Sequence, residues 1–320
     1  MPVRVLVTGG TGYLGSALVR ALAQRGDDVV VFSRHAAEPV APALPGRITH
    51  AAGDIRDRDA LARAADGVDA ICHMAALVSV WRPRASDFDE VNVTGLLNVV
   101  DVCRALRISR LVYTSSFLAL PPAGQREPLR ANDYQRTKAV ANSAARAAAN
   151  DVPMVILYPG VIYGPGSATE GNLVLRLVTD HLAGRLPGIV GANRIWSFTY
   201  IDDVIAAHVN ALTNDVLGRE LMIGGENAPQ MRLFEILRAR SGSRLPRSIP
   251  VPAAYAAAAV EELRARLTGR PPLLTRGAVT IFAHDWPLEG AAAAGLLGYS
   301  VTSLSEGIAL TLASLPLEPR

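Results

Sequence analysis

A short apolar segment near the start of the chain runs directly into a glycine-rich turn. Val3 to Thr8 has the composition of a fully buried strand, and it is followed by Gly9-Gly10-Thr11-Gly12-Tyr13-Leu14-Gly15. The turn opens an amphipathic segment that extends to about Arg25 and predicts a helix. A buried strand joined to a helix by such a turn is the start of a βαβ unit, which constrains the chain to a parallel α/β architecture.

The same alternation continues to about residue 160. Nearly continuous apolar segments predict further strands at Asp28–Phe32, Ile48–Ala52, Ala70–Met74, Arg110–Thr114 and Met154–Tyr158. Helical patterns lie between them, at Asp57–Ala65, Asp87–Leu106 and Tyr134–Asn150. The sequence therefore predicts a doubly wound parallel sheet of the Rossmann type, with helices covering both faces.

The glycine spacing in the first turn suits a bound dinucleotide. Gly9 permits the tight turn, Gly12 lets the backbone approach a pyrophosphate, and Gly15 allows close contact between helix and sheet. The first helical residues, Tyr13 and Leu14, add backbone donors and the positive end of the helix dipole. We therefore predict a dinucleotide site at this turn.

The end of the second strand indicates which dinucleotide is bound. It reads Phe32-Ser33-Arg34-His35, without the carboxylate that usually takes the 2′-hydroxyl of NAD. Arg34 is suited to a 2′-phosphate and Ser33 to an additional hydrogen bond, although Arg34 also fits an exposed loop. NADP(H) is therefore favoured, with NAD(H) as the other candidate. After the third strand, Asp54 and Ile55 are candidates for the adenine, and Asp54 is equally suited to cap the next helix.

The chain has one lysine and 31 arginines, and the lysine follows a tyrosine by four residues. Tyr134 and Lys138 therefore share one face of a predicted helix. The ammonium of a lysine is compact, whereas the guanidinium of an arginine is planar and forked. An ammonium near a tyrosine favours the phenolate and therefore lowers the tyrosine pKa from its usual value of about 10. The fifth strand ends in Ser115-Ser116. We expect Ser116, or else Ser115, to hold the substrate oxygen by a hydrogen bond. Tyr134 is then expected to give a proton to that oxygen, or to take one from it, during hydride transfer.

These segments, together with Cys72-His73-Met74-Ala75-Ala76 and Tyr158-Pro159-Gly160-Val161-Ile162-Tyr163-Gly164, resemble the extended short-chain dehydrogenase/reductase (NAD-dependent epimerase/dehydratase) family over essentially the whole chain. The chain is most similar to its dihydroflavonol-reductase, farnesol-dehydrogenase and steroid-dehydrogenase-like members. The resemblance implies that Ser116, Tyr134 and Lys138 are catalytic and that Ala75, Ala76, Pro159 and Val161 contact the cofactor. Between Ser116 and Tyr134 the chain has a loop shorter than is usual in the family, so a relative's substrate specificity does not transfer.

The second half of the chain breaks the strand–helix rhythm and contains more glycine and proline. We predict a dinucleotide-binding domain at 1–159, to which part of 195–214 returns, and a smaller α/β substrate lobe at 160–320. Helical patterns in that lobe lie at Asn172–Gly184, Asp202–Asn214 and Leu233–Ser241.

An apolar substrate pocket is suggested by apolar segments beside the expected catalytic residues, although these segments are equally suited to packing. The candidate substrate contacts are Val78, Trp81, Phe117, Tyr163 and Arg194. The leading hypothesis is a ketone or aldehyde reductase, or a secondary-alcohol dehydrogenase, acting on an apolar small molecule.

Two other functions stay open. A sugar-nucleotide epimerase that retains NAD uses the same catalytic set, and Arg194 and Arg232 are candidates for gripping its pyrophosphate. A cofactor-binding regulatory protein without catalysis is disfavoured because the tyrosine–lysine pair is kept. Dehydration is disfavoured because Phe117-Leu118 stand where dehydratases usually carry two acids.

Composition argues against several other classes of protein. The net charge is +3 with scattered arginines and few aromatic residues, so nucleic-acid binding is not expected. The six histidines lack metal-ligand spacing, and no apolar stretch approaches the ~20 residues of a membrane span. The N-terminus lacks a signal-peptide layout, which together with cysteines in predicted core segments suggests a cytoplasmic protein. By analogy with the family, a homodimer through the helices at Asp87–Leu106 and Tyr134–Asn150 is expected.

Overall fold

The computed structural model describes residues 3–35 and 44–315. Within these ranges the strands are β1 Arg4–Thr8, β2 Asp28–Ser33, β3 Ile48–Ala52, β4 Ala70–His73, β5 Arg110–Thr114, β6 Met154–Pro159, β7 Val161–Tyr163, β8 Ile189–Val190, β9 Ile195–Tyr200, β10 Glu220–Ile223, β11 Glu226–Pro229 and β12 Ser248–Ile249. The α-helices are α1 Tyr13–Arg25, α2 Arg58–Ala64, α3 Ser86–Phe88, α4 Gly95–Leu106, α5 Asp133–Ala148, α6 Leu173–Leu182, α7 Ile201–Ala211, α8 Gln230–Ser241, α9 Val251–Thr268, α10 Arg276–Phe282, α11 Ala291–Leu297 and α12 Leu304–Ala313. A π-helix spans Asp89–Thr94, and a 3₁₀ turn spans Phe117–Ala119.

The main sheet has seven parallel strands in the order β10-β6-β5-β4-β1-β2-β3. The chain moves outward from β1 to β3 and then returns to the other side of β1 with β4, so the order reverses between β1 and β4. Such a switch point opens a crevice at the carboxyl ends of the strands, where ligands of doubly wound folds bind. The predicted Rossmann-type fold is confirmed.

Segments from the second half of the chain complete this sheet. Helix α7 packs against α1, and its Val204 and Ala207 are buried with Leu18 and Leu22 in one core. Strand β10 joins the sheet beside β6, with Ile223 opposite Pro159. Strand β9 instead pairs with β7 and β11 in a separate three-stranded sheet. The chain therefore returns to the first sheet through α7 and β10, after leaving it for β9.

The three-stranded sheet supports a second lobe over the carboxyl edge of the main sheet. Its core gathers aromatic side chains such as Trp196, Phe198 and Phe234, packed against the inner faces of α6, α8 and α12. Helices α9 and α10 form a smaller cluster around Ala258 and Val279.

In the part of the chain that the structure describes, no helix has the length and apolar character needed to cross a membrane.

Candidate active site

A cavity of about 530 Å³ lies where the carboxyl edge of the main sheet meets the second lobe. Its walls come from the glycine turn, the ends of β2, β4, β5 and β6, helix α5, and the lobe helices α6 and α10. This is the place that the switch point predicts for a ligand. Most of the predicted site residues line it.

The glycine turn forms a backbone cradle at one end of this cavity. Gly9 has a left-handed φ of 72°, and a Cβ there would lie 2.7 Å from the backbone nitrogen of Ala75. A Cβ on Gly15 would meet the carbonyl oxygen of Gly9 at 2.1 Å. Helix α1 starts after Gly12 without a capping side chain or an acidic residue in its first turn. Its first amides are therefore available to an anion, and the cradle fits a dinucleotide pyrophosphate.

At the far end of the cradle, the expected adenine and ribose residues also line the cavity: Ser33, Arg34, Asp54 and Ile55. The Ser33 hydroxyl donates to the His35 carbonyl oxygen, while Arg34 is exposed.

Asp54 accepts three hydrogen bonds from Arg56 at 2.8 to 3.0 Å, which lower the pKa of Asp54, and the charge of Arg34 adds a smaller effect in the same direction. The helix-cap interpretation of Asp54 is wrong, because Asp57 caps α2 by accepting from the amides of Asp59 and Ala60. Asp54 stays an adenine candidate.

The three expected catalytic side chains meet at the centre of the cavity. Lys138 is 4% exposed, and its Nζ donates to the Thr114 carbonyl oxygen at 3.1 Å. The same ammonium lies 5.4 Å from the centre of the Tyr113 ring. Burial lowers the pKa of Lys138 to about 8. One turn earlier on α5, Tyr134 lines the cavity together with Ser116.

The pKa of Tyr134 departs from the expectation drawn from its spacing to Lys138. Burial raises the pKa of Tyr134, and a hydrogen bond with the Ser116 side chain opposes this increase. The ammonium of Lys138 donates to the Thr114 carbonyl and lies over the Tyr113 ring. The neutral phenol is therefore the form that this site favours.

The two adjacent serines have different partners. Ser115 donates to Oδ1 of Asn142 at 3.3 Å, and its side chain opposes the burial that raises the pKa of Tyr113. Ser116 caps the 3₁₀ turn by accepting from the Leu118 amide, and its side chain opposes the burial that raises the pKa of Tyr134. These effects favour Ser116 over Ser115 as the partner of the phenol.

Buried polar contacts hold helix α5 in place. Asn92, in the π-helix, donates to Thr137 Oγ1 at 3.0 Å and accepts from the Leu77 amide at 2.7 Å. Thr137 lies between Tyr134 and Lys138 on α5, so this contact ties the helix to the loop after β4. Thr8 pairs with Nδ1 of His73 at 2.8 Å on the cofactor side. Burial, and to a lesser extent Lys138, lowers the pKa of His73 to about 3, so the imidazole is neutral.

Two of the five predicted substrate contacts line the cavity and three do not. Val78 and Phe117 lie in its wall, as do the cofactor candidates Ala75, Ala76, Pro159 and Val161. Trp81 follows a turn in which the Ser79 hydroxyl donates to the Trp81 carbonyl oxygen and accepts from the Trp81 amide. Tyr163 is fully buried against Tyr200 and α12.

Arg194 and Arg232 are also absent from the lining of this cavity. Arg194 forms an ion pair with Asp285 at 3.0 Å, and Arg232 forms one with Glu235 at 3.2 Å. The structure therefore does not support the expectation that these arginines grip a pyrophosphate in this site.

Several further residues, all but Asn132 from the second lobe, complete the wall and were missed from sequence. They are Asn132, Leu173, Arg176, Trp196, Ile281 and Phe282. Leu173 and Arg176 stand three residues apart on α6, a helix that was predicted from sequence, and they therefore share one face of it. This shared face is the one sequence signal that could have indicated any of these residues. Helix α10, which carries Ile281 and Phe282, had no recognised pattern.

The Rossmann sheet and this site are typical of an NAD-binding oxidoreductase. Comparison with known proteins gives the same class. The chain belongs to the NAD dependent epimerase/dehydratase family, whose model matches residues 5–224. The 2-alkyl-3-oxoalkanoate reductase of Stenotrophomonas maltophilia is 34% identical over 308 residues, which cover 89% of this chain and 91% of that protein. Sterol demethylase protein B of Methylococcus capsulatus is 33% identical over 256 residues, or 76% of each chain.

The fold is also similar to solved structures. MoeE5 in complex with UDP-glucuronic acid and NAD matches with a TM-score of 0.75 over 97% of this chain and 98% of that chain. At 24% sequence identity, this is a likeness of fold alone.

Proposed function

We propose that the protein is an NAD(P)-dependent reductase or dehydrogenase that interconverts a carbonyl and an alcohol on an apolar small molecule. The observation that carries the proposal is the convergence of Ser116, Tyr134 and Lys138 on one cavity that also contains the glycine cradle. A bound nicotinamide would supply or accept the hydride.

The protein's own residues handle the substrate oxygen and its proton. Ser116 and Tyr134 hold the oxygen by hydrogen bonds, and Tyr134 gives its proton in reduction or takes it in oxidation. Because burial raises the pKa of Tyr134, the phenol carries its proton at neutral pH and is ready to act as an acid. Lys138 places a positive charge near the phenolate that forms, and its remaining donors suit the ribose hydroxyls of the cofactor.

An apolar substrate is supported by the apolar side chains in the cavity wall. Phe117, Leu118, Trp196 and Ile281 contribute apolar surface there. Phe117 is fixed between two indoles, 6.4 Å from the ring of Trp196 and 5.6 Å from that of Trp286. The names of two relatives, which refer to a 2-alkyl-3-oxoalkanoate and to a sterol, fit the same interpretation.

The proposal is tested on the purified protein by its absorbance spectrum and by turnover. We expect no nicotinamide absorbance before addition, and oxidation of added NADPH with a panel of apolar ketones. Retained nicotinamide combined with interconversion of UDP-sugars would instead establish the epimerase alternative. That alternative has less support here, because Arg194 and Arg232 do not line the cavity.

Arg34 is proposed to favour NADP(H) through the 2′-phosphate. We expect Arg34→Gln to raise the KM for NADPH about tenfold, through loss of a charged hydrogen bond, while the KM for NADH hardly changes. Arg20→Gln is the matched control, since Arg20 is exposed on α1 and outside the cavity lining. Equal changes with both cofactors would contradict this role.

Arg176 is proposed to bind an acidic group on the substrate. It lines the cavity together with Glu170 and Leu173, and none of the ion pairs within the described ranges includes it. A 3-oxoalkanoate, the substrate that one relative's name states, carries such a group.

We expect Arg176→Gln to raise the KM for a 3-oxoalkanoate on the order of tenfold or more, and to leave the KM for its methyl ester nearly unchanged. Steady-state kinetics on the acid and the ester measure this difference. Arg232→Gln, which removes an arginine outside the cavity, is the control. If the acid and the ester are affected alike, Arg176 does not recognise the acid.

A further inference from the structure

Helix α9 exposes its large apolar side chains and buries its small ones. Val260, Leu263 and Leu267 are 67%, 57% and 78% exposed, and Leu273, just beyond the helix, is 88% exposed. Every other exposed large apolar side chain in the described residues is at most 47% exposed. Because positions 260, 263 and 267 follow helical spacing, the three side chains form one stripe along α9. We call Val260, Leu263, Leu267 and Leu273 the α9 face.

The inner side of α9 packs against the rest of the lobe through alanines. Ala254 and Ala258 are fully buried and pack against Val279 of α10, with Phe282 at the edge of the same cluster. A helix that only had to cover this lobe would turn its leucines inward, because burying a leucine stabilises far more than burying an alanine. The α9 face therefore has no packing role within the protein, and it is the kind of apolar surface that marks an interaction site.

Two arginines border the α9 face outside the ion pairs of the described residues. Glu261 pairs with Arg264 at 2.7 Å, and Glu262 pairs with Arg276 at 2.8 Å. Arg266 and Arg270 are both exposed and take part in none of the ion pairs that the described residues form. Arg266 lies close enough to Glu262 to help lower the pKa of that carboxyl. The apolar stripe is thus bordered by positive charge.

The α9 face is near one wall of the cavity along the chain. Leu273 stands three residues before α10, and α10 packs along α9. Helix α10 also contributes Ala278, Ile281 and Phe282 to the cavity lining. Helices α9 and α10 therefore both lie between the stripe on α9 and the cavity.

We propose that the α9 face binds the surface of a lipid bilayer that contains anionic lipids. When a helix lies in the bilayer interface, leucines exposed along one side bury their apolar area among the acyl chains, and arginines beside them reach the lipid phosphates. This binding is peripheral and needs no membrane span. It is independent of the proposed catalytic function.

The test is co-flotation of the full-length protein with vesicles of phosphatidylcholine, with and without phosphatidylglycerol. We expect flotation with the mixed vesicles and less with phosphatidylcholine alone. Leu263→Gln/Leu267→Gln should weaken partitioning on the order of tenfold or more, because two leucines leave the acyl region. Arg266→Gln/Arg270→Gln should weaken binding to the mixed vesicles about tenfold and leave binding to phosphatidylcholine unchanged.

A matched control removes two exposed leucines elsewhere, with Leu296→Gln/Leu310→Gln, and should float like the natural protein. Because all these positions are exposed, circular dichroism should show every variant folded. Absence of flotation, or flotation that the α9 double variants leave unchanged, would overturn the proposal. So would a dimer, seen by sedimentation velocity, that dissociates in Leu263→Gln/Leu267→Gln without any vesicle binding, because the face would then join two copies of the chain.

Discussion

Tyr134→Phe is expected to lower kcat by roughly 10³-fold while leaving cofactor binding nearly unchanged. The substitution keeps the ring that lines the cavity and removes the hydroxyl that we propose as the proton donor and acceptor. Ser116 would still hold the substrate oxygen, so the KM should rise only a few-fold. The measurement is steady-state NADPH oxidation, together with fluorescence titration of NADPH.

The control for this variant is Tyr299→Phe. The Tyr299 hydroxyl is buried without a hydrogen-bond partner in the described structure, and it does not line the cavity. Its removal tests the cost of deleting a phenolic hydroxyl in general, and turnover should stay normal. If Tyr134→Phe retained turnover within a few-fold of the natural protein, another group would have to be the acid.

The raised pKa of Tyr134 also sets the direction of the pH dependence. Because the site favours the neutral phenol, reduction should proceed well at neutral pH, while alcohol oxidation should increase with pH as the phenolate becomes populated. Tyr134→Phe should lose the pH dependence of oxidation along with the rate. Initial rates in both directions across the alkaline range measure this.

Local sequence signals predicted the parts of the fold and site that depend on neighbouring residues. The strand, glycine turn and helix from Arg4 to Arg25 were recognisable because each element follows the last directly. The carboxyl ends of parallel strands meet at one edge, and this rule alone brought Arg34, Asp54, Ala75 and Ser116 to one cavity. The adjacency of Ser115 and Ser116 left their roles open until their different hydrogen-bond partners were known.

Contacts between distant segments were not predictable in the same way. Strand Glu220–Ile223 joins the main sheet beside a strand more than 60 residues earlier, and short strands carry little signal of their partner. Arg194 looked free in sequence because its partner Asp285 lies 91 residues later. Helix α9 was not among the predicted helices, since its alanines and leucines give no strong amphipathic pattern.

Lys138→Arg is expected to reduce kcat by roughly 10²-fold or more, although it preserves the positive charge. The ammonium of Lys138 sits 4% exposed between the Thr114 carbonyl and the Tyr113 ring. A planar guanidinium has five donors to satisfy in that space, and it would displace the ring or the α5 helix. Arg136→Lys is the matched reverse exchange two residues earlier on α5. Arg136 pairs with Asp89 and Asp133 at the surface, so that variant should keep normal turnover.

Stability and pH supply readouts that separate the charge of Lys138 from its shape. Burial lowers the pKa of Lys138 to about 8, which means that the folded protein disfavours the charged form. The resulting loss of stability is fully present below pH 8 and disappears as the pH rises towards the unfolded value of about 10.4. Lys138→Met should therefore raise the free energy of unfolding at pH 7 by roughly 3 kcal/mol while abolishing turnover, and the gain should vanish at high pH.

The natural protein should lose reductase activity as the pH rises through about 8, because the ammonium is then lost. The residual activity of Lys138→Arg should not show this loss, since a guanidinium stays charged throughout that range. Near-normal kinetics in Lys138→Arg would mean that any cation serves at this position. The survival of a single lysine among 31 arginines would then need no catalytic explanation.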